Sequence, residues 1–133
     1  MKEAQRLFRV LLEVPDFEKA VTFYSRLLGV KGRKLAGGRH YFDCGSVILG
    51  LVGIAPAGRK IAPKPECLYL AVNDLEKAHV RARALRCLSI GKVHGESAGE
   101  ILRRPWGERS FYAEDPFGNG VCFIDARTLS PGK

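Results

Sequence analysis

Apolar and polar residues alternate at the start of the chain: Phe8, Val10, Leu12 and Val14 are interleaved with Arg9, Leu11 and Glu13. A period of two is that of a β-strand with one face on a packed core. The period then lengthens. Phe17, Ala20, Val21, Tyr24, Leu27 and Leu28 recur at helical spacing and form one apolar stripe. Asp16 precedes them, where a carboxylate can accept from the unpaired amides of a first helical turn. Gly29 follows, where a helix can end in a left-handed residue at little cost.

The same succession returns 58 residues later. Val14-Pro15-Asp16-Phe17-Glu18-Lys19-Ala20 and Val72-Asn73-Asp74-Leu75-Glu76-Lys77-Ala78 share five of seven residues. In the second copy Leu68, Leu70 and Val72 alternate, Asp74 takes the cap position, and Leu75, Ala78, Ala82 and Leu85 make the stripe. No glycine stands at the matching helix end, so a different exit is expected near Cys87. Arg39-His40-Tyr41-Phe42 aligns with Arg109-Ser110-Phe111-Tyr112 as a third echo. Further strands are expected over residues 31–52, broken at Gly37-Gly38 and Gly45, and near 88–94, 108–114 and 120–125. Pro105 and the stretch Asp115-Pro116-Phe117-Gly118-Asn119-Gly120 supply the turns. The order β-α-β-β-β, read twice, predicts an α+β domain with helices on one sheet face. Module one covers about 7–52, a Gly/Pro-rich linker about 53–65 and module two about 66–126, all within one domain of residues 1–133.

Composition narrows the function classes. At 46% apolar and 27% charged residues the chain has the balance of a globular protein, and no apolar run reaches the roughly 20 residues of a membrane span. The opening MKEAQRLFRV is too charged for a secretory signal, which predicts a cytoplasmic location. Cys44, Cys67, Cys87 and Cys122 lie far apart and fit neither a disulfide framework nor a zinc finger; reduced thiols are expected. The net charge of +8 is spread along the chain without a nucleic-acid-binding motif, so a nucleic-acid partner is not expected. Neither a Ser-His-Asp order nor a phosphate-loop spacing is present.

Two motifs carry a family resemblance. Val14 through Gly29, of the form VxDxEKAxxFYxxLLG, is similar to the opening of vicinal oxygen chelate modules. Pro105-Trp106-Gly107-Glu108-Arg109-Ser110-Phe111-Tyr112-Ala113-Glu114-Asp115-Pro116-Phe117-Gly118-Asn119 resembles their closing signature, PWGxRxFxxxDPxGN. The resemblance to this glyoxalase, bleomycin-resistance and dioxygenase-like superfamily covers about residues 7–126. It implies two βαβββ modules whose curved half-sheets surround a cavity, commonly in a homodimer. Its members include metal-dependent isomerases and dioxygenases as well as bleomycin-binding proteins without a catalytic metal.

The resemblance also implies where a metal would be held, on the first and last strands of each module. Those positions fall on Arg9 and Cys67, near Leu49 and on Cys122, instead of on imidazoles and carboxylates. Arg9 would place a fixed positive charge where the cation belongs, so neither metal nor other cofactor is expected. The alternative is a thiophilic ion such as Zn held by Cys67 and Cys122, which would need further ligands. Strand parity aims Arg9, Leu11 and Glu13 away from the helices, together with Cys67, Tyr69, Ala71 and Cys122. His40, Tyr41, Trp106, Arg109 and Phe111 complete the candidate ligand-binding set. Each also has a plainer reading: Trp106 as a packing residue, Arg109 in an ion pair with Glu114 or Asp115, and His40 as a strand histidine. Aromatic rings beside fixed charges suit a planar or anionic organic ligand. Binding or carriage of such a small molecule is therefore expected. The alternatives are an enzyme using unusual metal ligands or Glu13 as an acid–base group, and an interaction module with a filled concave face.

Overall fold

The computed structural model describes residues 8–53 and 68–129. The chain divides into two compact units, Met1–Ile61 and Ala62–Lys133.

In the first unit, β1 (Arg9–Val14) leads into α1 (Phe17–Leu28), followed by β2 (Arg33–Leu35), β3 (Arg39–Cys44) and β4 (Val47–Gly53). The strands lie in the order β1-β4-β3-β2, with β1 parallel to β4 and the other pairs antiparallel. Asp16 caps α1 by accepting from the Lys19 amide at 3.1 Å, and Gly29 ends it at φ 69°. The helix buries Ala20, Phe23, Tyr24 and Leu27. Leu12, Val14, Phe42, Leu49 and Leu51 are buried on the sheet. Alternation along β1 thus separates a helix-covered face from an open one, as the sequence pattern predicts.

The second unit repeats the plan. β5 (Leu68–Val72) and α2 (Leu75–Ala84) precede a two-stranded hairpin of β6 (Lys92–Val93) and β7 (Glu96–Ser97). Then come β8 (Leu102–Arg103), β9 (Arg109–Glu114) and β10 (Gly120–Asp125). The main sheet runs β5-β10-β9-β8, again with its one parallel pair between the first and last strands of the module. Asp74 caps α2 by accepting from the Lys77 amide at 3.0 Å. Asp115 organises the turn between β9 and β10: one carboxylate oxygen accepts from the Phe117 and Asn119 amides, the other from the Asn119 side chain.

Two expectations are corrected. The strand expected near residues 88–94 is shorter: Leu88 makes a single bridge to Ala113, only Lys92–Val93 (β6) is strand, and the chain then turns at His94 and Gly95, both at positive φ. Two positive φ angles in succession make a tight hairpin turn, so the edge of the sheet is taken by β8 instead. The third sequence echo is also out of register. Leu11 faces Gly50, which faces Tyr41; Tyr69 faces Cys122, which faces Tyr112. Tyr41 therefore corresponds to Tyr112 and His40 to Phe111. A slip of one residue along a strand exchanges its two faces.

The exit of α2 departs from that of α1 as expected. Arg86 sits at φ 55°, and the Cys87 amide returns to the Ala82 carbonyl at 3.1 Å. A left-handed residue with a Cβ is strained where glycine is not. Arg86→Gly is expected to raise stability by about 0.5–1 kcal/mol, read as a higher midpoint in urea with an unchanged slope.

Candidate functional site

On the face of the first sheet that α1 leaves open, β1 presents Arg9, Leu11 and Glu13. Across the sheet these stand beside Ile48, Gly50 and Val52 of β4. Tyr41 of β3 lies opposite Gly50, and Arg33 of β2 lies opposite Tyr41. Tyr41 is buried, and two guanidinium groups stand over its ring, Arg9 at 5.4 Å and Arg33 at 5.9 Å from the centroid. Arg33 is also paired with Asp43 at 2.8 Å. No ion pair joins Arg9 to a carboxylate among the described residues. Gly50 makes this packing possible, because a Cβ there would lie 2.6 Å from Leu11 Cδ2 and 2.9 Å from Tyr41 Cε1. Glu13 shares the open face, half-buried, in the register position next to Val52.

The open face of the second sheet carries the equivalent row, Tyr69, Cys122 and Tyr112. Tyr69 is 62% exposed, whereas Cys122 is buried. Burial first, and then the neighbouring Cys122 and Tyr69, push the Tyr112 phenol well above its ordinary range. Arg104 stands 5.3 Å from the centre of the Tyr112 ring and is itself buried. Its guanidinium makes five hydrogen bonds, to the carbonyls of Ser97, Ala98, Glu100 and Ser110 and to the Ser110 hydroxyl.

Arg9, Glu13 and Tyr41 thus share one open face, and Tyr69 and Cys122 another; Cys67 lies outside the described residues. The remaining candidates are placed elsewhere. His40 is on the helix-covered face, where its Nε2 meets the Lys31 carbonyl at 2.9 Å and its ring packs on Phe42. Neighbouring strand residues point to opposite faces, so His40 and Tyr41 cannot share a site wall. Phe111 is fully buried, stacked on Phe123 and edge-on to His79. Arg109, on the same side, pairs with Glu76 of α2 and with Asp125 at 3.3 Å, not with Glu114 or Asp115. Asp125, held also by Arg127, has its carboxyl well below the usual range, first through the Arg127 hydrogen bonds. Trp106 sits in the β8–β9 loop, donates to Glu108 at 2.8 Å and packs edge-on to His94. Arg104 and Tyr112 are the site residues that sequence reading missed. The signal for Tyr112 was the repeat itself, once the strands are paired in the observed register.

The register also settles the positions where the family resemblance would put metal ligands. Leu49 is buried on the helix side; the open position next to it, equivalent to Cys122, is Gly50. Arg9, Gly50 and Cys122 together offer one thiol, no carboxylate and no imidazole. Among the described residues no group of three or more His, Cys, Asp or Glu side chains could hold a metal ion. These side chains do not fit the divalent ion of the catalytic relatives.

Two βαβββ units, each with a helix on one side of a four-stranded sheet and a ligand-type row on the other, define a vicinal oxygen chelate protein. Residues 6–123 match the Glyoxalase/Bleomycin resistance protein/Dioxygenase superfamily, and the chain belongs to that family. Similar solved structures include a lactoylglutathione lyase from Agrobacterium tumefaciens, at 24% identity and a TM-score of 0.63, covering 95% of this chain and 97% of that one. TioX from Micromonospora sp. ML1 matches at 20% identity and a TM-score of 0.64, covering 94% of this chain and 100% of that one. An integron cassette protein from the mobile metagenome of V. Cholerae matches at 21% identity and a TM-score of 0.67, covering 94% and 98%. At such identities the likeness is one of fold. No curated protein matches the chain. Among the described residues no helix is long and apolar enough to cross a membrane.

Proposed function

We propose that the protein binds a planar organic anion without a metal, in the manner of the bleomycin-resistance branch of its family, on the open face of the first sheet. The observation that supports this is the pair of guanidinium groups over Tyr41, beside a glycine where catalytic relatives would need a ligand side chain. Arginine suits the task because its planar fork meets a carboxylate through two parallel hydrogen bonds and remains charged at any ordinary pH. Leu11, exposed next to Gly50, offers an apolar surface to a ring. A homodimer belongs to the same reading on the strength of the family resemblance alone, and a cytoplasmic location on the strength of the chain's composition.

The test is an equilibrium titration with 2-naphthoate, followed by the ligand's own fluorescence in the presence of EDTA. Binding is expected without added metal, and Arg9→Ala is expected to weaken it about tenfold or more, the worth of one charge-assisted hydrogen bond. A strict requirement for a divalent ion, or an affinity indifferent to Arg9→Ala, would refute the reading.

A further inference from the structure

The outer edge of the first sheet carries charge that its own unit leaves unmatched. β2 ends the order β1-β4-β3-β2, and among the described residues no strand pairs with its far side. Between Glu18 and Asp43 the chain has six Lys and Arg residues and no Asp or Glu. Arg33 pairs with Asp43. Arg26, Lys31 and Lys34 are exposed and have no ion-pair partner among the described residues.

The pairing pattern shows which main-chain groups of β2 are free. The Gly53 amide donates to the Gly38 carbonyl at 2.8 Å, so Arg39 and Val52 face each other without bonding to each other. The main chain of Arg39 is therefore turned toward Leu35, and that of Tyr41 toward Arg33. Lys34 and His40, between them, form an unbonded pair, and the amide and carbonyl of Lys34 point outward. The edge is held in shape. The Lys31 carbonyl meets His40 Nε2 at 2.9 Å, and a Cβ on Gly32 would lie 2.7 Å from the Tyr41 carbonyl. The corresponding edge of the second sheet is closed differently: β8 has two residues and runs through Arg104 into Pro105, which has no amide to offer.

We propose that the β2 edge is a docking site for an extended acidic segment of another protein, which adds to the sheet as a strand beyond β2. Main-chain pairing at Lys34 sets its register, and its carboxylates meet Arg26, Lys31 and Lys34. A second copy of β2 is a poor occupant, because it sets one basic strand against another. A nucleic-acid strand fits less well, since residues 26–39 include no aromatic ring on which a base could stack. The charge thus rejects the chain's own kind and admits its opposite.

This proposal stands apart from the anion-binding reading, which rests on the open face. The test is fluorescence anisotropy of the full chain with a labelled peptide of alternating Glu and Thr, and with a twin N-methylated throughout. The twin keeps the charge and cannot pair as a strand. At low salt the peptide is expected to bind about fivefold more tightly than the twin or better, the worth of one main-chain hydrogen bond. Lys31→Glu combined with Lys34→Glu, both at exposed positions, is expected to weaken binding about tenfold. Hydrogen exchange at the Lys34 amide is expected to slow in the complex. Equal binding of the twin, an oligothymidylate bound as tightly as the peptide, or no measurable binding of the peptide would overturn the proposal. So would indifference to the double charge reversal, or a Lys34 amide left unprotected.

Discussion

Replacing Arg104 with methionine is expected to destabilise the protein by about 3–5 kcal/mol, a fall of roughly 10 °C or more in Tm. The side chain is 2% exposed, and its guanidinium gathers the carbonyls of Ser97, Ala98 and Glu100 onto Ser110 of β9. Methionine fills a comparable volume and satisfies none of those acceptors, and each buried acceptor left unpaired costs about 1–3 kcal/mol before relaxation. Lysine should recover little of the loss, because a single ammonium cannot span five acceptors arranged around a planar fork. Thermal unfolding followed by circular dichroism checks both variants. A methionine variant within about 1 kcal/mol of the parent would show that the loop over residues 97–100 is held by something else.

Phe111→Ala is expected to cost a similar amount, about 3–5 kcal/mol in urea unfolding, and to leave the affinity of any ligand on the open faces unchanged in the fraction that folds. Phe111 is wholly buried, its ring parallel to Phe123 at 5.2 Å and edge-on to His79 at 4.8 Å. Truncation removes that aromatic packing and leaves a cavity between α2 and the sheet. The variant therefore separates two roles that the sequence left together. A Phe111→Ala protein of near-parental stability with lost ligand affinity would return this residue to the site.

That ambiguity shows what was legible in the chain and what was not. Features set by nearest neighbours could be read directly. Asp16 and Asp74 cap their helices, Gly29 takes the left-handed exit, and Arg9, Leu11 and Glu13 share a face, because caps and strand parity depend on a few consecutive residues. Pairing between strands depends on residues far apart. A four-residue resemblance aligned Arg39 with Arg109 and thereby put Phe111 in place of Tyr112, whereas hydrogen bonding across the sheet pairs Cys122 with Tyr112. The same non-local register moved the last-strand position from Leu49 to Gly50. Arg104 gave no local sign at all: an arginine beside a proline in a charged stretch reads as surface, and only the folded loop wraps carbonyls around it.

The crowding around Gly50 also bears on any attempt to install a side chain at that strand position. A carboxylate introduced there would need a Cβ in space already filled by the end of the Leu11 side chain and by the Tyr41 ring. Leu11, exposed, can swing aside, but the buried Tyr41 ring must move with the sheet around it. A metal-ligating side chain at this point therefore comes only with a repacked sheet face.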